Sequence, residues 1–173
     1  MLFGKLFHTG LRTADLDASV RFYTEVLGMV SVTRPPVEFP GAWLAQAQAG
    51  AEATIHLYAD HAAQEADGSV QTGSGAIDHL FTVCGGYSAF RAQFERFALP
   101  YREHLMPRTP LWRLFVYDLN SVQLELTFHS AAELVEPVPV IAPERLHQPR
   151  ERQFQPAACW QFSNTPRGDH GRP

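Results

Sequence analysis

Leu6-Phe7-His8-Thr9-Gly10-Leu11-Arg12-Thr13 is a short apolar run with a histidine set into it, and Ile77-Asp78-His79-Leu80-Phe81-Thr82-Val83 repeats the arrangement further along. The stretches downstream of the two runs repeat as well. After the first comes an amphipathic helix signal, Leu16, Val20, Phe22, Tyr23, Val26 and Leu27 recurring at helical spacing, with Asp15 or Asp17 placed to cap it and Gly28 to end it. Strand candidates Met29 to Thr33, Ala42 to Ala47 and Ala53 to Tyr58 come next, separated by Pro35-Pro36 and Phe39-Pro40-Gly41. The second copy runs as strand Ala76 to Cys84, helix Tyr87 to Leu99 with Phe90, Phe94 and Phe97 on one face, then strands Tyr101 to Leu105, Trp112 to Tyr117 and Val122 to Phe128. The order βαβββ therefore occurs twice. A unit that cannot bury its sheet alone pairs with its copy. The expected fold is α+β, two paired βαβββ modules forming a cleft: residues 1–60, a linker at 61–75, residues 76–130, and a proline-rich extension at 131–173 that holds 7 of the 13 prolines.

Composition sets the class of partner. With 45% hydrophobic and 18% charged residues the chain can build a real core. A formal net charge of −4 and an isoelectric point near 6.0 argue against nucleic acid and against a basic membrane anchor, so a small-molecule partner is expected. Cys84 and Cys159 make no disulfide framework, and no apolar run is long enough to span a membrane. Patterned sequence begins without a signal-peptide pattern, which makes a cytoplasmic protein the expectation.

The chemistry is expected where polar residues interrupt the repeated strands. His8 and His56 lie in the first and last strands of the first module, 48 positions apart; His79 and Glu125 occupy the same two places in the second, 46 apart. A single strand histidine is most often a hydrogen-bonded core or edge residue. Four coordinating side chains at four repeat-equivalent places are a stronger pattern, and Glu125, between Leu124 and Leu126, needs a compensating charge if it is buried. Imidazole and carboxylate donors suit one divalent ion, Zn, Ni, Co, Mn or Fe(II), rather than calcium. Arg12, four residues after His8, and Tyr58, two after His56, share those residues' strand faces and are candidates for substrate contact. Trp43, Trp112 and Phe115 are candidate apolar walls; His61, His104, His129, His147 and His170 are given no role, and Cys84 lacks a base partner.

These residues carry a resemblance. Leu6 to Thr13 with Asp15-Leu16 and Ser19-Val20-Arg21-Phe22-Tyr23-Thr24-Glu25-Val26-Leu27-Gly28-Met29 after it resembles the start of glyoxalase I and of the vicinal oxygen chelate superfamily. Ile77 to Val83, Phe115 to Asn120 and Val122 to Leu126 agree in the second half, so the resemblance covers residues 5–129. It implies that His8, His79 and Glu125 ligate a metal, that Arg12 holds a substrate carboxylate, and that the protein is a homodimer. His56 departs from the pattern, since glyoxalase I carries a glutamate there; it is either a fourth ligand or an acid/base beside the metal, and with Glu125 it is the candidate catalytic residue. The turn Asp118-Leu119-Asn120-Ser121 departs too. Three functions are consistent with the family: a glyoxalase-like lyase or isomerase acting on two adjacent oxygens, an extradiol-type Fe(II) dioxygenase, and a bleomycin-resistance-type binder without turnover. The four candidate ligands favour an enzyme. Phe115 stands where a ring-cleaving enzyme is expected to carry tyrosine, which favours the lyase or isomerase.

Overall fold

A computed structural model describes residues 6–48, 50–133 and 138–148. Its elements track the repeat. In the first module β1 (Thr9–Arg12) leads into α1 (Leu16–Arg21), then β2 (Val30–Val32), β3 (Gly41–Ala45) and β4 (Ala53–Tyr58). In the second, β5 (Leu80–Cys84) leads into α2 (Tyr87–Arg96), then β6 (Tyr101–Leu105), β7 (Leu111–Tyr117) and β8 (Gln123–His129). Each module makes one four-stranded mixed sheet, in the orders β1-β4-β3-β2 and β5-β8-β7-β6. The first strand of each pairs in parallel with the last, and the remaining pairs are antiparallel. This is the α+β architecture of two βαβββ modules. Among the described residues no helix is long and apolar enough to cross a membrane.

Local chemistry explains the boundaries. The Asp15 carboxylate accepts from the Ala18 N–H at 2.9 Å and caps α1. The apolar spacing predicts one helix through Leu27, but residues Phe22–Val26 form a wider π-helical turn, with the Thr24 hydroxyl donating to the Val20 carbonyl at 2.8 Å. Such back-bonding competes with the regular ladder. Gly28 then turns the chain at φ +72°. Gly41 is required for another reason: a Cβ there would lie 2.2 Å from the Leu57 carbonyl oxygen on β4. At the start of α2 the backbone N–H groups of Gly86 and Tyr87 donate to the Glu133 carboxylate, which comes from the short helix α3 (Ser130–Glu133).

Strand starts fall later than the apolar runs suggest. The run from Lys5 becomes a strand only at Thr9, and the run from Ala76 only at Leu80. In the second module the reason is β8, whose pairing with β5 begins at Leu124, after the Asp118 turn, and therefore meets β5 at Leu80. His8 and His79 each sit immediately before the first paired residue of their strands.

The core lies between helices and sheets, with Phe22, Tyr23, Leu44, Leu57, Tyr87, Phe94, Leu114 and Phe128 all but sealed. Polar contacts join the modules. The Tyr23 hydroxyl donates to Asp118 at 2.9 Å, and Gln93 donates to the Glu25 carbonyl at 2.6 Å. Burial and that contact push the Tyr23 hydroxyl well above the ordinary phenol range. Phe154, Cys159, Trp160 and His170 lie outside the described residues.

Candidate functional site

Register brings the four candidate ligands together as two pairs. On the first sheet Gly10 stands opposite His56, and His56 opposite Trp43. The His56 ring is sandwiched: His8 stacks on it at 3.9 Å between centroids and 17° between planes, and Trp43 at 4.2 Å and 8°. His56 is 6% exposed, and its Nε2 is buried without a hydrogen-bond partner among the described residues. Burial, and secondarily the neighbouring His8, lowers its pKa below the ordinary imidazole value, while the Ala53 backbone opposes the shift.

On the second sheet the pair is His79 and Glu125. The Glu125 carboxylate is 2% exposed and has three polar neighbours. His79 Nε2 lies 3.3 Å from Oε2, Arg113 Nε lies 3.2 Å from Oε1, and the Thr127 hydroxyl donates to Oε1 at 3.0 Å. Asp78 approaches His79 Nδ1 at 2.8 Å and so orients the ring with Nε2 toward Glu125. A carboxylate behind a histidine in this way is the usual support for a metal-binding imidazole.

The two pairs do not meet within one chain: among the described residues no three histidine, cysteine or acidic side chains gather as a group able to hold a metal. Between the modules opens an apolar cavity of about 340 Å³, lined by Phe7, Tyr23, Leu27, Phe81 and Phe90, with His8 on its wall. His56, His79 and Glu125 do not line it.

The candidate substrate contacts occupy three different settings. Arg12 forms an ion pair with Glu65, both side chains substantially exposed. Tyr58 stands opposite Arg12 in register and stacks on Phe39 at 5.5 Å. Phe115 faces Glu125 across the β7–β8 pair but is 5% exposed, because the His147 ring stacks on it at 3.8 Å and 12°. Sequence reasoning missed Arg113, Asp78 and His147. Arg113 could have been found by alternation on β7, two residues before Phe115; nothing local in the sequence signals His147.

The family model for the Glyoxalase/Bleomycin resistance protein/Dioxygenase superfamily matches residues 5–106. The chain belongs to this superfamily. A protein of Vibrio parahaemolyticus named "Probable lactoylglutathione lyase" is 31% identical over 102 residues, 56% of this chain and 74% of that one. Among solved superfamily structures, a domain from Frankia sp. superposes with a TM-score of 0.56 at 18% identity, covering 74% of this chain and 93% of its own. Leishmania major glyoxalase I superposes at 0.56 with 20% identity, covering 75% and 89%. At such identities the superpositions establish the superfamily fold, and the activity has to be argued from the site.

Proposed function

We propose that the protein is a divalent-metal-dependent lyase or isomerase of the glyoxalase kind, acting on a small molecule with two adjacent oxygens, and that two copies of the chain complete each site. The observation that carries this reading is two buried coordinating groups at repeat-equivalent places, one of them without a partner among the described residues. His56 Nε2 is buried with no partner among the described residues, and the Glu125 carboxylate is sealed beside an oriented imidazole. An orphaned buried imidazole nitrogen is costly, and it and the Oε2 side of Glu125, which faces only His79 among the described residues, are donors that suit a cation. His8 and His56 of one copy, with His79 and Glu125 of another, would hold Zn, Ni, Co, Mn or Fe(II), whose preferences match imidazole and carboxylate donors. When bound, the ion supplies Lewis-acid polarisation of the substrate's adjacent oxygens.

The chain's own residues supply the rest. Glu125 is the group able to take a proton from the substrate carbon and return it, with Arg113 and Thr127 fixing the carboxylate. Stacked imidazoles hold their in-plane lone pairs in nearly parallel planes, so His8 must turn for both rings to face one ion, and its exposure leaves it free to do so.

The sheets support a second copy. β1 and β5 are outer strands of their sheets, and Phe81 and Val83, 57% and 70% exposed, lie on the Glu125 face of β5. Exposed apolar side chains along an open strand are expected to be covered. The test is to load the protein separately with Ni, Zn, Co, Mn and Fe(II), supply glutathione with a 2-oxoaldehyde, and monitor thioester formation. Turnover with at least one metal, lost with Glu125→Gln, is expected. Tight metal uptake without thioester formation, combined with oxygen uptake on catechols by the Fe(II) form, would replace the lyase with a dioxygenase.

A further inference from the structure

The 3-10 turn Pro143–Arg145 brings the chain back to the second sheet, where Leu146 bridges Glu103 in parallel and the His147 N–H donates to the Glu103 carbonyl at 2.9 Å. Residues next in parallel register share a face, so His147 falls beside His104 on β6. His104 pairs with Arg113 on β7, and Arg113 with Thr127 on β8. His147, His104, Arg113 and Thr127 thus form one row across the sheet, at strand spacings of about 5 Å, ending next to Glu125.

One nitrogen donor of this row, Arg113 Nε, is buried with no hydrogen-bond partner among the described residues. It is ion-paired with Glu125, whose Oε1 lies 3.2 Å away. The His147 ring is held flat on Phe115 and is therefore positioned in advance. Burial, helped by His104, lowers the pKa of His147, so at neutral pH it is an uncharged imidazole with one N–H to offer.

We propose that the His147–His104–Arg113 row is a receptor for an oxyanion of the ligand, a carboxylate or phosphate group, held beside the part of the molecule that reaches Glu125. The segment that carries His147 is then a wall of the binding site, and the ring a substrate meets over Phe115 is the imidazole. Arg113, whose Nε faces Glu125, gives the row its guanidinium and the two imidazoles give it direction, a combination that favours a planar or tetrahedral oxyanion over a neutral hydroxyl group. This deepens the function proposed above, since it rests on the substrate's reacting oxygens lying at Glu125.

The experiment is an NMR titration of the full chain, as purified, reading the histidine ring signals, with inorganic phosphate in one arm, glutarate in a second and neutral glycerol as control. Signals of His104 and His147, identified with His104→Gln and His147→Gln, are expected to shift saturably with at least one oxyanion and not with glycerol; which arm saturates tells phosphate from carboxylate. His147→Gln and Arg113→Gln should each weaken binding about tenfold, while His61→Gln leaves it unchanged. Shifts that never saturate, or binding in His147→Gln and Arg113→Gln equal to the parent's, would overturn the proposal. Oxyanion binding in a protein that takes up no metal would sink the lyase reading alone; metal uptake and turnover with static His104 and His147 signals would sink the row alone.

Discussion

Asp118→Ala is the substitution whose cost the structure specifies most closely. The carboxylate is fully buried at the junction of the modules. Its Oδ1 accepts from the N–H groups of Asn120 and Val122 at 2.9 and 2.8 Å, and its Oδ2 from the Tyr23 hydroxyl at 2.9 Å and the Asn120 amide at 3.1 Å. Alanine strands two backbone donors and a phenol where water has no ready access. An orphaned buried donor costs about 1–3 kcal/mol, and with partial relaxation the total comes to about 4 kcal/mol. Tyr23→Phe removes one donor and leaves an acceptor with other partners, so it should cost about 1 kcal/mol. Urea unfolding monitored by tryptophan fluorescence, with a slope of about 2 kcal/mol per molar, would place the Asp118→Ala midpoint about 2 M below the parent. The pH dependence has a definite sign. Burial raises the Asp118 pKa above the ordinary carboxylate value despite its hydrogen bonds, so the native state holds the proton more tightly than the unfolded chain. Its contribution is fully present below the ordinary value and declines as pH rises through the raised one, so the gap between parent and variant should be wider at pH 4 than at pH 7. An Asp118→Ala midpoint within about 0.3 M of the parent would refute the reasoning, since it would mean that the stranded donors find other partners.

Two further outcomes concern the titrating groups. Burial pushes the Cys84 thiol up to about 11 from an ordinary 9.0, so its thiolate fraction at pH 8 should be about a hundredfold below that of a free thiol, and iodoacetamide labelling measured on the Cys84 peptide about tenfold slower, since the more basic thiolate is the stronger nucleophile. His56 titrates below its unfolded value, so in the metal-free protein the unfolded chain binds the proton more readily and stability falls as pH drops below the ordinary imidazole range. His56→Gln should flatten part of the fall in melting temperature between pH 7.5 and pH 5; a fall as steep as the parent's would contradict the burial of that ring.

How much of the molecule was legible in the sequence depends on range. The two modules, their helices and their strand order could be read because repeat offset and apolar spacing are local signals; a capping aspartate, left between Asp15 and Asp17 and found at Asp15, and the stop at Gly28 are of the same kind. Strand alternation also put His56 with Tyr58 on a shared face, whereas the placing of Phe115 opposite Glu125 comes from the β7–β8 register. It could not reveal what lies over a face. The pairing of Arg12 with Glu65 joins residues 53 positions apart, and His147 reaches Phe115 only because an irregular segment returns to the β6 edge. Nor does period-two patterning say whether two sheets meet within a chain or between chains, which is why four repeat-equivalent candidate ligands could be named while their separation into two pairs could not.

That separation is what a mixing experiment tests most directly. A chain carrying His8→Ala with His56→Ala lacks one half of the site, and a chain carrying His79→Ala with Glu125→Ala lacks the other. If sites form between copies, each variant alone should hold no metal. Co-refolding them in equal amounts should restore about one quarter of the parent's metal content, because half of randomly paired dimers are mixed and each mixed dimer has one intact site of two. A mixture as empty as the separate variants, from chains shown to pair, would contradict the account, as would either variant alone holding metal as the parent does.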